Sequence, residues 1–262
     1  MTATITDTGT GTATAPRPPA TAGPAAGEAW LTRLLLNVRS RAVHRDLRNL
    51  AELHRTVMKL LPDGLGDSPR SRAGVLFRLE ADSAGAPVLL VQTRLPPSAD
   101  RLPDGYARVD VRSMDALLTA LRPGLLVRYR IAANAVRRCG PNSTAGHWKQ
   151  AIPLRGPDAD QWWTDRATAA GLAPRTLLSR STETATTWHT PAPSPEAPTA
   201  PGAAAPAASR PGRRIDRAVT LFEGTAAVTD PDALRSALLS GIGRSKSYGC
   251  GLLSLAPASQ GV

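Results

Sequence analysis

From Leu125 onward the chain switches between two hydrophobic periods in an order that few folds accept: strand, helix, strand, strand, helix, strand. Leu125, Val127, Tyr129 and Ile131 alternate with Leu126, Arg128 and Arg130, as a strand with one buried face does, which predicts a strand over 125–134. A helix is expected over 158–170 and strands over 176–182 and 214–228. The next helix takes Thr229 or Asp230 as its N-cap, places Pro231 in its first turn and stops at Gly241, and a strand over 252–256 closes the series. This is the ferredoxin-like arrangement. A doubly wound parallel sheet fits less well, because the two middle strands follow each other directly and no glycine-rich first turn is present.

The first half carries a looser version of the pattern. A strand is expected over 30–37, a basic connector over 39–45, and a helix over 49–61 with Leu50, Leu53, Val57, Leu60 and Leu61 at helical spacing and Pro62 at its end. Strands over 75–80 and 87–94 follow, joined by a turn at Ser83-Ala84-Gly85, then a strand over 106–111 and a short helix over 114–121. The expected fold class is therefore α+β, with tandem ferredoxin-like domains over 29–122 and 123–257. Two segments stand outside it. Residues 1–28 are mostly Thr, Ala, Gly and Pro, too poor in bulky apolar groups to offset ordering entropy, and predict a disordered tail. Residues 190–212 hold seven prolines among alanines and predict a low-complexity insertion between the middle strands, where it does least harm.

The charge balance narrows the function. The net charge is +11, carried almost wholly by arginine because Lys59, Lys149 and Lys246 are the only lysines. GC-rich coding accounts for arginine replacing lysine, but not for a surplus of positive over negative charge. A domain this basic points to a polyanion, and nucleic acid is the commonest. Two cysteines, Cys139 and Cys250, without a CxxC pair argue against a disulfide framework or a thiolate zinc site. Neither a secretory signal nor an apolar run of membrane-spanning length is seen, so the expected location is cytoplasmic.

The most informative segment runs from Gly241 to Leu255, GIGRSKSYGCGLLSL. Its glycines leave backbone N–H groups without steric cover, Arg244 and Lys246 add charge, and Ser245 and Ser247 add hydroxyls, which is the composition of a loop that lies against phosphates. It lacks Walker spacing and follows a helix instead of preceding one.

This C-terminal run resembles the signature of the CasE family, the repeat-processing endoribonucleases of type I-E CRISPR systems. A second likeness lies at the other end: Trp30-Leu31-Thr32-Arg33, then Arg39-Ser40-Arg41-Ala42, Asp46-Leu47 and Leu53-His54-Arg55-Thr56. Tyr129 to Asn134 is similar to the strand that opens the family's second domain. The resemblance spans about 29–257 and implies a tandem ferredoxin-like fold, cleavage of precursor CRISPR RNA at the base of the repeat hairpin, and retention of the product. It implies attack of a ribose 2′-oxygen on the adjacent phosphate without a metal or other cofactor. Implied partners are repeat RNA, both precursor and mature guide, and the other subunits of the Cascade complex, with no membrane. No carboxylate cluster, HxxxH or HxE motif suggests a metallonuclease.

By resemblance His54 is the catalytic residue, since a base must take the 2′-hydroxyl proton and an acid must protonate the leaving oxygen. His44 stands in the basic connector, and His147 and His189 read as loop residues. The chain departs from the family at Ala51, where members often carry a tyrosine partner; Lys246, Tyr248 and Arg55 are the candidates to replace it. Arg39, Arg41, Arg45, Arg48, Arg55, Arg137, Arg138 and Lys149, with Gly243, Arg244, Ser245, Ser247 and Gly249 of the loop, are the expected RNA contacts. Clustered arginine with few aromatics suits duplex RNA, which is read by backbone and shape. The alternative is a structural RNA-binding subunit with weak or no cleavage, which Ala51 favours; an RNA-binding module unrelated to CRISPR is a more distant one.

Overall fold

The computed structural model describes residues 28–81, 84–189 and 213–258, so the expected tail over 1–28, Glu28 apart, and the insertion over 190–212 lie outside the described residues. Two four-stranded antiparallel sheets carry the fold. The first holds β1 (Trp30–Leu36), β2 (Leu76–Ala81), β3 (Pro87–Thr93) and β4 (Ala107–Ser113) in the order β2-β3-β1-β4. The second holds β5 (Leu126–Ala133), β8 (Leu172–His189), β9 (Arg213–Val228) and β10 (Leu253–Pro257) in the order β10-β5-β9-β8, separate from a small ribbon of β6 (Val136–Arg138) and β7 (Ala151–Pro153). Numbered within its own half, each sheet runs fourth, first, third, second, which is the ferredoxin-like order expected from the pattern.

The connections differ between the halves. In the second, α5 (Pro157–Ala169) and α6 (Pro231–Ser240) make both crossovers. Asp230 caps α6 by accepting from the backbone N–H of Asp232 and Ala233, as its position before Pro231 predicts. In the first half, α1 (Arg41–Arg48), α2 (Leu50–Met58) and α3 (Pro69–Arg72) connect β1 to β2, while β3 reaches β4 by loop alone. The short α4 (Asp115–Ala120) follows β4 and packs Leu118, beside Met114, into the second core.

Two expectations need correction. The basic connector is helical: α1 buries Val43 and Asp46 on one side, and Asp46 accepts from the Tyr106 hydroxyl at 2.9 Å and from Arg45 at 3.0 Å. Its inward stripe was hidden because a carboxylate, not an aliphatic group, fills one core-facing position. Asn49, with extended backbone, then breaks the helix and caps α2 by accepting from Ala51 N–H at 3.1 Å. Beyond β5, Arg137 and Arg138 end the short β6, which pairs with β7 as its own ribbon. The strand expected over 176–182 begins earlier and continues to His189, which places that histidine in a strand instead of a loop.

Each half has its own core. Leu34, Leu53, Val57, Leu60, Phe77 and Leu89 fill the first. The second centres on Trp163, which stacks on Phe222 at 5.6 Å and tilts against Tyr129 at 5.4 Å; burial of each such side chain contributes roughly 1.5–3 kcal/mol. The halves are tied by β2, whose first three residues are buried on both faces. Phe77 points into the first core. Arg78, only 2% exposed, crosses to the second half and donates to the carbonyls of Arg130 at 3.0 Å and Leu252 at 2.7 Å and to Ser254 Oγ at 2.8 Å. Gln92 of β3 adds a buried bond to the Leu238 carbonyl of α6 at 2.8 Å.

Candidate functional site

The site grows from that seam. Helix α2 buries Leu53, Thr56 and Val57, so His54, one residue on from Leu53, sits half-buried at the edge of the inward face. Its ring stacks on Phe77 with centroids 6.2 Å apart and planes 24° apart. Across Phe77 lies the glycine-rich loop: Gly249 packs against that ring, where an added Cβ would stand 3.5 Å from Cε2. A short 3-10 turn, Lys246–Tyr248, follows Ser245 in left-handed backbone conformation and ends at Gly249.

The loop is pinned at its base. Gly251 N–H donates to the Ala132 carbonyl at 2.8 Å, and the Gly251 carbonyl accepts from Ile242 N–H at 3.0 Å. Gly251 has φ +89°, and an added Cβ would come within 2.8 Å of the Ile242 carbonyl oxygen, so the position requires glycine. Lys246 Nζ donates to the Ser240 carbonyl at the end of α6 at 2.7 Å. A cleft of about 540 Å³ opens over the loop, lined by Gly243, Arg244, Ser245, Lys246, Ser247 and Tyr248, together with Arg70 of α3, Asn134, and Val136 and Ala151 of the ribbon.

Electrostatics favour a neutral imidazole. Burial lowers the pKa of His54 below its ordinary value, and the nearby charges of Arg70 and Arg55 lower it further. His54 Nδ1 is buried without a hydrogen-bond partner among the described residues. Lys246 is also shifted down, first by burial and then by Arg70.

Of the expected residues, the structure brings His54, Gly243, Arg244, Ser245, Lys246, Ser247, Tyr248 and Gly249 to one place. Arg41, Arg45 and Arg48 line a separate shallow cleft with His44, Asn49 and Glu52, and Arg39 is exposed just before α1. Two of the arginines are already engaged: Arg45 pairs with buried Asp46 at 2.9 Å, and Arg55 pairs with Glu52 one turn back. Arg137 and Arg138 are exposed on β6. Lys149 stands in the ribbon's loop with its ammonium 4.0 Å from the ring centre of Trp148, itself 65% exposed. Sequence reasoning missed Arg70, Phe77 and Trp148. Arg70 lies in a Pro-Arg-Ser-Arg run with no fingerprint, so nothing local marks it. Among the described residues no group of three or more His, Cys, Asp or Glu could hold a metal ion, and no helix is long and apolar enough to cross a membrane.

A neutral imidazole beside a cleft of cations, hydroxyls and glycine N–H groups is suited to moving a proton next to a bound polyanion. Comparison with known proteins agrees in kind. A family profile described as CRISPR associated protein matches residues 29–257. The CRISPR-associated endoribonuclease Cse3 of Thermus thermophilus is 32% identical over 237 residues, 87% of this chain and 100% of that one. A solved structure of Cse3 bound to a 19-nucleotide RNA superposes with a TM-score of 0.70 at 30% identity, covering 87% of this chain and 100% of that one. A chain of a CRISPR RNA-guided surveillance complex in a pre-nicking state matches at 35% identity and a TM-score of 0.62, again over 87% of this chain and 100% of that one.

Proposed function

The chain belongs to the CasE family of CRISPR-associated proteins, and from that membership we propose that it is the endoribonuclease that cuts CRISPR repeat RNA within a guide-RNA surveillance complex, working in the cytoplasm. Residues 29–122 and 123–257 are its two ferredoxin-like domains. His54, as the neutral imidazole, takes the proton of the 2′-hydroxyl at the cut position. The 2′-oxygen then bonds to phosphorus, and the bond from phosphorus to the 5′-oxygen breaks. Lys246, through its ammonium, gives the leaving oxygen its proton, and the Tyr248 hydroxyl is the other candidate. The lowered pKa of Lys246 makes its ammonium a better acid near neutral pH, and the bond to Ser240 occupies one of its three N–H groups. No metal enters these steps. The α1 face and the β6–β7 ribbon grip the RNA on either side through Arg39, Arg41, Arg48, Arg137, Arg138 and Lys149, and this grip retains the product.

One observation carries the reading: a half-buried histidine stacked on Phe77, the same ring against which Gly249 of the cationic, glycine-rich loop packs. Incubation with a synthetic repeat-hairpin RNA in excess chelator tests it. We expect a single cut that disappears in His54→Ala; a cut that needs magnesium, or survives that substitution, refutes the mechanism. Ala51 favours a second reading, an RNA-holding subunit without useful scission. Tight binding with no cut by the wild type decides for it.

A further inference from the structure

We propose that Arg70 binds the non-bridging oxygens of the scissile phosphate between His54 and Lys246, and so is a catalytic residue of this site. The inference rests on the cleavage reading above. Three observations carry it. Arg70 lines the loop cleft opposite Ser245, Lys246 and Ser247. It also lines a neighbouring cleft of about 520 Å³ that contains Arg94 and Lys246, so its guanidinium stands where two cationic hollows meet. A strand entering one hollow and leaving by the other passes this group.

Its bonding suits the task. One Nη1–H donates to the Val75 carbonyl at 3.2 Å, which fixes the side chain to the segment leading into Phe77. A guanidinium carries five N–H donors, so most remain for a ligand, in the fork geometry that matches phosphate. No carboxylate pairs with Arg70 among the described residues, unlike Arg45 and Arg55. An arginine held half-buried and unpaired beside a second cation is a poor stabilising device and a good anion site. Its charge reaches both proposed proton-transfer groups, lowering the proton affinity of His54 and of Lys246. That effect keeps His54 able to accept a proton and makes Lys246 readier to give one. As the 2′-oxygen attacks, negative charge builds on the phosphate oxygens, where a preplaced donor acts most strongly.

The test uses the full chain, a synthetic repeat-hairpin RNA, and the same RNA with a single 2′-deoxy sugar at the cut. Single-turnover cleavage at saturating protein should fall about 10²–10³-fold in Arg70→Gln, the range for loss of one transition-state donor. Arg70→Lys, which keeps the charge and loses the fork, should recover part of it. Binding of the 2′-deoxy hairpin should stay at the wild-type level. The acid limb of the pH–rate profile should move to higher pH in Arg70→Gln, because His54 loses a neighbouring cation. A phosphorothioate at the cut should slow the wild type for one diastereomer and lose that preference in Arg70→Gln. Thermal melts of both variants separate unfolding from loss of chemistry. Wild-type rates in a folded Arg70→Gln overturn the inference and leave the cleavage reading standing. Equal losses of binding and cleavage also overturn it, since Arg70 would then be an ordinary backbone contact. A wild type that leaves the hairpin whole overturns both.

Discussion

Arg78→Met removes the cation that joins the two halves. In the folded chain the Arg78 guanidinium gives Nε to Glu80 at 2.7 Å and its other nitrogens to the carbonyls of Arg130 and Leu252 and to Ser254 Oγ. Methionine fills much of the volume but satisfies none of them. Two carbonyls lose a donor at the seam, and among the described residues Glu80 keeps only Arg130, at 3.4 Å. Because Arg78 is 2% exposed, solvent screens little of this. Breaking one side of a buried, hydrogen-bonded pair costs about 3–5 kcal/mol. For a chain of this size that is a fall in Tm of about 6–20 °C. The assay is thermal melting by circular dichroism, with urea midpoints as a second measure. Arg78→Met with Glu80→Gln should recover part of the loss, since the stranded carboxylate is then neutral. Cleavage should fall even at temperatures where Arg78→Met is folded, because β2 carries Phe77 and Phe77 seats His54 against the loop. A loss below about 1 kcal/mol, in the range of ordinary surface changes, would refute the claim that this arginine couples the halves.

Three further outcomes are expected. His54 has its pKa held below the ordinary 6.5, so most of it is neutral at neutral pH; the rate should decline on acidification with a midpoint below 6.5, and a midpoint above that value contradicts the base role. Gly251→Ala places a Cβ against the Ile242 carbonyl at a φ of +89° and should destabilise by about 1–3 kcal/mol while weakening RNA binding, as read by melting and by filter binding. Asp230→Ala removes the cap of α6 and should lower stability by about 1 kcal/mol, as read by the urea midpoint, with the cleavage rate unchanged.

Much of the fold was legible before any coordinates. The alternation of Val127, Tyr129 and Ile131 against Arg128 and Arg130 marks β5, and Asp230, Pro231 and Gly241 bracket α6, because each signal lies within the element it marks. The glycine-rich loop was visible for the same reason: its conformation is written in its own glycines. Helix α1 was not, because its inward side includes Asp46, whose burial makes sense only once Tyr106 arrives from sixty residues away. Nor was the separate β6–β7 ribbon, three residues on each side with no hydrophobic alternation of its own.

Tertiary structure alone decided the site. His54, Arg70 and Phe77 belong to three elements of the first half, and Lys246 comes from the far end of the second. Period, cap and turn signals act over a few residues and carry no information about which loop meets which helix. That meeting depends on Arg78 and Gln92, two buried polar side chains whose partners lie 146 to 176 residues or, for Arg130, 52 residues away. Sequence determined the elements and their order; the packing of one half on the other determined which of its many cations stand beside the histidine.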